Sequence, residues 1–550
     1  MEDLVTLEKD QKKTHFFGSI VVKPGDLSQE IIIIDGQQRL TTTCLLLLAM
    51  RNWMQNKQKY GKRINPNNLN DAYLVDSFSR DIYKYKLKPN PRDFNAYKKL
   101  FKDEKYFIKN SNITANYEYF YSELERISID LDILMSSIEK LQVMVVNLNS
   151  PEDDPQLIFE SLNSTGVDLT DADKIRNFLL MNEKQEEQQF YFENYWEPIE
   201  ERTHFQLSAF FRDYLTLKNG KYLTIAKVYE TFVSFYKRKC ESKKSFFDEL
   251  SDYSLAYQQI LEASTKNQKI DSILNRFNEL QVTVIRPFLL AILHDFNRNE
   301  IDEDVIIDIL SILETYIARR MIAKIPSNAL NKVIATLYKD INKIDRETNI
   351  TLKDVLSYIL LSKTNTAKLP DDQEILEKLR TNDFYNINSS FRTYFFERIE
   401  NFDHVEALQI YQGVKDQKYS VEHIMPRHLS REWKNELGQN YLQVHQTYLN
   451  RLGNLTLTGY NSKYSNRSFE EKQKMEKGFK DSHFVNLNRI PANVRRWGEE
   501  EIVLRTEELS KTALKVWPYP ETKYSPSSRE NQLIVFDGEQ HQDKGLQFYY

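Results

Sequence analysis

Between Lys221 and Gln412 the chain contains no glycine, a run of 192 residues. No other feature of the sequence limits the fold as strongly. Glycine enters left-handed turns and lets backbones touch without steric cost. A long stretch without it reads as packed helices joined by short connections. Three prolines, Pro287, Pro326 and Pro370, punctuate the run. The whole chain shares the trend. Its 14 Gly and 15 Pro in 550 residues are about 2.5% and 2.7%, against roughly 7% and 5% in average usage. Collagen-like, linker-like and Pro-rich disordered chains are excluded. Abundant Lys, Glu, Leu and Ile favour helix, and 41% apolar residues supply cores. At roughly 150 residues per domain, the length predicts about three or four domains.

The bulk charge is −5, so no overall basic character announces nucleic acid. The charge is uneven, however. Residues 1–410 sum to −8, 411–500 to +5 and 501–550 to −2. Asp81–Asn110 holds nine basic and four acidic residues with Tyr and Phe interleaved. That stretch reads either as a nucleic-acid face or as a solvated helix face. Cys44 and Cys240 lie far apart and neither belongs to a CxxC, which excludes zinc fingers and a disulfide framework. Such cysteine usage suits a reducing cytoplasm. The first 15 residues are polar and charged, unlike a signal peptide, and no apolar stretch is long enough for a membrane span.

Phe16–Val22 and the apolar run Ile31–Ile34 read as strands, the second of them buried. Asp35-Gly36 breaks the second run and Leu40–Met50 continues as a helix. Gln142–Asn147 is a third strand candidate. Pro155–Leu162 reads as a helix ending at Asn163-Ser164-Thr165-Gly166, and another helix starts after Thr170. Residues 181–400 carry helical periodicity almost throughout. From Tyr419 the texture changes. Tyr419–Glu422 and Asn454–Leu457 read as strands and Asn461 opens a helix. Ser468 and Glu471 make an S-x-x-E capping box. The tail beyond Pro518 is polar and turn-rich.

Three constellations carry chemistry. No Walker A loop or GxGxxG occurs, so the familiar phosphate-binding loops are unsupported. Asp35, Gly36, Gln37, Gln38 and Arg39 instead occupy a strand-to-helix turn, where exposed N–H groups favour anions and Arg39 can fork onto phosphate oxygens. An Asp-Gly turn before a helix is also ordinary chain punctuation. The second constellation, Phe159-x-x-x-Asn163-x-x-Gly166, sits between two helices, where helix capping explains it equally well. The third is Glu422-His423-Ile424-Met425-Pro426, followed 31 residues after His423 by Asn454 and then by Asn461 and Asn466. This is the pattern of a ββα-metal finger nuclease. There, His423 would be the general base for water. Asn454 would orient the His through a side-chain hydrogen bond. Glu422 and Asn461 are candidate ligands of a divalent cation that stabilises the scissile phosphate. Hard oxygen donors suit Mg2+ or Mn2+. His and Asn are also ordinary loop residues, so spacing alone leaves both readings open.

Taken in order, DGQQRLTT, FESLNSTGVDLTDADKIRNFLL and EHIMP…RLGNLTLTGYNSKYSN resemble the GmrSD-type modification-dependent (type IV) restriction endonucleases. The resemblance spans about residues 15–520. It implies a mainly α fold with small α+β parts. Residues 1–180 would form a ParB-like α+β nucleotide-binding domain, 181–370 a helical connecting domain, and 371–520 an HNH-type nuclease domain with the ββα-metal finger. Residues 521–550 would be a polar tail. By the same resemblance Asp35, Gly36, Gln37, Gln38, Arg39 and Asn163 would bind a nucleoside triphosphate. His423, Asn454 and Asn461 match the HNH residues, and Asn466 is a further helix ligand of the metal. The expected function is metal-dependent cleavage of double-stranded, modified phage DNA in the cytoplasm, regulated by nucleotide, with a homo-oligomer left open. Family members usually carry a Pro-x-x-Gln-Arg-x-x-x-Trp-like motif before the first strand. None precedes Phe16, so the N-terminal domain reads as incomplete and NTP hydrolysis as less supported than the nuclease. The competing expectation is a nucleotide-regulated DNA-binding or switch protein with an inert finger.

Overall fold

The computed structural model describes residues 4, 14–25, 30–126, 130–148, 170–180, 185–344, 349–404, 406–460 and 464–525. It is mainly helical, with two small sheets. Two compact units divide it: Met1–Thr170 with Asn177–Asn182, and Asp171–Arg176 with everything from Glu183 onward. Among the described residues no helix is long and apolar enough to cross a membrane.

In the first unit β-branched runs become strands, as their stiff side chains favour. Strands β1 (His15–Pro24), β2 (Ile31–Asp35) and β3 (Leu141–Asn147) form a sheet in the order β2-β1-β3. β1 pairs antiparallel with β2, Val22 facing Ile33, and parallel with β3, Ser19 facing Met144. A parallel pair needs a long crossover, and residues 36–140 supply it, largely as helices. The expectation of a buried strand at Ile31–Ile34 is corrected. β2 lies at the sheet edge, so Ile34 is buried while Ile31 is 63% exposed. β3 forms the other edge and exposes Val143, Met144 and Val145.

The helix Gln37–Lys57 buries Leu45–Met50 and Met54 in one cluster with Tyr117, Phe120 and Leu124 of the helix Asn112–Arg126. The buried Asn52 amide donates to Leu100 O at 2.9 Å and to the Tyr117 hydroxyl at 2.8 Å, which satisfies its donors inside the core. Burial pushes the Cys44 thiol up to about 11, as expected of an inert core cysteine. The aromatic residues of Asp81–Asn110 divide. Tyr85 packs edge-on against Phe94, Tyr97 and Phe101, whereas Tyr83 and Tyr106 stay exposed beneath lysine ammonium groups. Half of the apparent nucleic-acid pattern is therefore core.

In the second unit the three prolines mark helix starts. Pro287 lies in the first turn of Arg286–Asn297, and Pro326 and Pro370 precede Asn328–Asn342 and Asp372–Thr381. The glycine-free run still makes left-handed turns, at Ala263, Lys266, Gln281, Asn299, Lys324, Asn365 and Asp403. Each non-Asn, non-Asp residue of this group costs on the order of 1–2 kcal/mol, so packing on either side must hold it. One such brace is a buried ion network. Arg276 forks onto Glu314 at 2.6 and 2.7 Å, the Tyr394 hydroxyl donates to Glu314 at 2.8 Å, and Trp517 Nε1 donates to Tyr394 at 2.8 Å. The network ties the helices Gln268–Glu279, Glu303–Ile322 and Ser389–Glu400 to the end of Glu499–Val516.

Candidate functional site

The His423 constellation starts on two four-residue strands. β4 (Ser420–His423) pairs antiparallel with β5 (Leu455–Thr458), His423 facing Leu455. Successive side chains of a strand point to opposite faces, and this decides what Glu422 and His423 can share. Glu422 turns toward the helix Phe469–Lys474, whose start is the expected Ser468–Glu471 capping box. There its carboxylate accepts from Lys472 Nζ at 2.6 Å. Lys472 is fully buried and also donates to the carbonyls of His423 and Ile424, at 3.0 and 3.2 Å. Burial pushes the Glu422 carboxyl up, and the Lys472 ammonium opposes the shift. The Glu422 carboxylate, expected as a cation ligand beside His423, is thus paired with a buried lysine. Strand alternation separates the two side chains, and a lysine already occupies the carboxylate.

His423 faces the other way. It is 5% exposed, and its Nε2 lies 3.0 Å from Asn450 Oδ1. Asn450 Nδ2 donates to Asp383 Oδ2 at 3.0 Å. The Tyr385 ring lies 4.4 Å from the imidazole, centroid to centroid. The guanidinium groups of Arg392 and Arg427 lie over the Tyr385 ring at 5.1 and 5.8 Å, and Arg392 also donates to the Tyr385 carbonyl. Among the described residues neither arginine has a carboxylate partner, and Arg392 Nε is buried without a hydrogen bond. His423 is pulled down to about 4, first by burial and then by Arg427, Lys472 and Arg392, against the Asn450 hydrogen bond. Its ring is neutral at pH 7, with one nitrogen able to accept a proton.

Asn454 plays a different part from the one expected. Its Oδ1 accepts from Met425 N at 2.8 Å and from Trp497 Nε1 at 3.0 Å. Its Nδ2 donates to Met425 O at 3.0 Å and Leu449 O at 2.9 Å. Both donors and both acceptor positions of the amide are used. Asn454 thus fixes the backbone turn after His423, and Asn450 is the residue that meets the imidazole. Next to it, Gly453 lies so close to the helix Glu499–Val516 that a Cβ would sit 2.1 Å from Ile502 O. From the same helix the buried Arg505 donates to Gly453 O and Leu455 O, both at 2.7 Å. Asn461 lies outside the described residues, and Asn466 is exposed in the turn after Tyr464. Among the described residues no three His, Cys, Asp or Glu side chains gather as a cation site.

The first unit carries the other constellation. Gly36, at φ +91°, turns the chain from β2 into the helix Gln37–Lys57, whose first turn has no side-chain cap. Arg39 Nη1 donates to Ser19 O at 2.8 Å and lies 3.5 Å from Asp35 Oδ2. Gln37 Nε2 donates back to Ile33 O at 2.9 Å, and Gln38 is exposed. The Arg39 guanidinium also covers Gly18, where a Cβ would approach its Nε to 2.8 Å. Asn163 lies outside the described residues. The sequence reading missed Gly18, Ser19, Asp383, Tyr385, Arg392, Arg427, Asn450 and Lys472. Gly18-Ser19 offered a signal, as the small pair in an otherwise bulky strand. The others join the site through tertiary packing and carry none.

Family models match two stretches of the chain. The model for the GmrSD restriction endonuclease N-terminal domain matches residues 1–180. The model for the GmrSD restriction endonuclease C-terminal domain matches residues 369–512 and so contains His423, Asn450 and Asn454. No curated protein matches the chain. The two domain models follow each other in the family's order and together cover more than half of the 550 residues, so the chain belongs to the GmrSD family of restriction endonucleases.

Proposed function

We propose that this protein is a phosphodiester hydrolase of the phage-defence, type IV restriction kind, cutting modified double-stranded DNA with His423 as general base. Restriction endonuclease domains at both ends imply DNA as substrate. The observation that carries the reading is the setting of His423: a neutral imidazole packed on Tyr385, beside two arginines with no carboxylate partner among the described residues. The ring takes a proton from water as the water oxygen attacks phosphorus. Arg392 and Arg427 meet the phosphate oxygens, for which guanidinium donors are suited. A Mg2+ or Mn2+ ion would draw oxygens from Asn461 and Asn466, with Glu422 paired to Lys472, and would supply charge stabilisation to the scissile phosphate. We extend the proposal to a nucleoside triphosphate at Asp35–Arg39, supported by the uncapped first helical turn.

The test is plasmid nicking in Mg2+, with and without nucleoside triphosphate or EDTA. His423→Ala should lower cleavage by about 10²–10⁴-fold, the usual worth of a general base, while filter binding of the same DNA persists. Equal nicking by variant and wild type would sink the reading in favour of an inert finger. The two arginines have their own readout. Each of Arg392→Ala and Arg427→Ala should flatten the plot of log affinity against log salt by about 0.9, one phosphate contact each. An unchanged slope would remove them from the DNA interface.

A further inference from the structure

We infer that Asp383 and Asn450 are positioning residues that lock His423 as its Nε2–H tautomer, leaving Nδ1 as the atom that takes the water proton. The inference rests on the reading of His423 as general base and names its working atom. The structure gives the Asp383 carboxylate three donors: Asn386 N at 2.8 Å, Asn386 Nδ2 at 2.9 Å and Asn450 Nδ2 at 3.0 Å. Burial opposes its charge, but these hydrogen bonds outweigh it and hold the carboxyl below its usual range. Asp383 is therefore ionised and can only accept.

An acceptor-only carboxylate decides the orientation of the amide beside it. Asn450 must present its NH2 to Asp383, because the flipped amide would set two oxygens against each other at 3.0 Å. The carbonyl oxygen of Asn450 then faces His423 Nε2 at 3.0 Å. A carbonyl also only accepts, so the proton of the neutral imidazole must sit on Nε2. The lone pair is left on Nδ1. A main-chain hydrogen bond, Phe384 N to Asn450 O at 2.8 Å, braces the relay from the side. The same short turn between the helices Asp372–Thr381 and Ser389–Glu400 thus supplies the carboxylate, the brace and the Tyr385 ring that lies on the imidazole. The turn lies outside the two strands and the HNH residues.

Water gives one proton to Nδ1 while its oxygen forms the new bond to phosphorus. The leaving P–O bond breaks with its electron pair on the DNA oxygen, which solvent protonates. Nδ1 then returns its proton to solvent.

The experiment reads the tautomer directly. The full chain is labelled with 15N-histidine, and the two-bond 1H–15N pattern of His423, identified among the nine histidines by loss in His423→Gln, is recorded beside steady-state nicking. The wild type should show the Nε2–H pattern. Asp383→Asn can both donate and accept, so the Asn450 amide is freed to flip. The pattern should become mixed and kcat should fall about 10–100-fold at unchanged KM. In the exchange variant Asp383→Asn/Asn450→Asp the bond between the two residues reverses, the amide at 383 donating to the carboxylate at 450, but His423 Nε2 still faces a group that can only accept. It should recover the Nε2–H pattern and at least tenfold in kcat. An Nδ1–H pattern in the wild type would overturn the inference. So would Asp383→Asn with unaltered pattern and rate, or a lost rate with the pattern intact. A wild type that shows the Nε2–H pattern yet never nicks DNA would instead overturn the nuclease reading, and with it the catalytic use of Nδ1, while the locked tautomer stands.

Discussion

The Asp35–Arg39 turn and the β4–β5 finger both set basic side chains beside acidic ones, yet they differ in depth. At the turn, Arg39 keeps 27% of its side chain exposed and its pairing with Asp35 is at 3.5 Å. Water competes for every donor there, and such a pair adds little stability. In the finger, Lys472 is fully buried, bonded to Glu422 and to two carbonyls. Arg505, also buried, reaches the carbonyls of Leu452, Gly453, Leu455 and Leu487. These two cations hold backbone in place, whereas Arg392 and Arg427 stand beside His423 with no carboxylate partner among the described residues. Depth separates a scaffold cation from one available to substrate.

Breaking the deepest contact should therefore have the largest effect. Lys472→Ala leaves Glu422 buried without its partner, and removing one member of a buried pair costs about 3–5 kcal/mol. Hydrogen exchange at the β4–β5 amides should rise accordingly. Glu422→Gln/Lys472→Met should recover most of the loss, since no charge is then stranded. A Lys472→Ala loss below about 1 kcal/mol, the range of surface pairs, would erase the distinction between the two sites.

A buried charge that is only half satisfied sharpens the comparison. Asp213 Oδ1 accepts from Arg212, with Nε at 2.9 Å, while Oδ2 is buried with no partner among the described residues. Burial outweighs the pull of Arg212 and raises the carboxyl from 3.8 to about 6. A group whose pKa is raised by folding contributes its full stability below the unfolded value and loses it as pH rises through the folded one. Relative to Asp213→Asn, the wild type should lose up to roughly 3 kcal/mol between pH 4 and pH 7. Denaturant unfolding of both proteins across that range measures the difference. A difference that does not change with pH would show that the carboxylate is compensated after all.

The sequence was most legible where a local pattern carries the signal. Alternation and turn residues located β1, β3, β4 and β5 within a residue or two. The Ser468–Glu471 box located a helix start, and the proline positions marked three more. His423 stood out because its neighbours in the chain set its strand. Its partners were not legible. Asp383, Tyr385 and Arg392 lie 31–40 residues earlier in the chain, in a turn and the helix after it with no motif, and only packing brings them to the imidazole. The pairing of Glu422 with Lys472 was hidden for a related reason. Adjacency in the chain suggested a shared site, while strand geometry put the two side chains on opposite faces. The glycine-free run announced helices correctly, but it concealed the left-handed turns that alanine, lysine and glutamine make there under tertiary constraint.

The smallest expected effect lies at the shallow site and closes the comparison from its other side. Arg39→Met keeps the aliphatic stem over Gly18 and removes the guanidinium. The carbonyl of Ser19 loses one charged donor, and Asp35 loses a 3.5 Å partner. Water reaches the half-exposed arginine, so Ser19 and Asp35 can be resolvated rather than stranded. A hydrogen bond exchanged for water is worth about 1 kcal/mol or less, and exchange at the β1–β2 amides should rise by no more than that. A nucleotide that relies on Arg39 would lose affinity in the same variant, without a matching loss of stability. If instead Arg39→Met destabilised the sheet by as much as Lys472→Ala does the finger, Arg39 would be a scaffold residue, and depth would no longer separate the two kinds of cation.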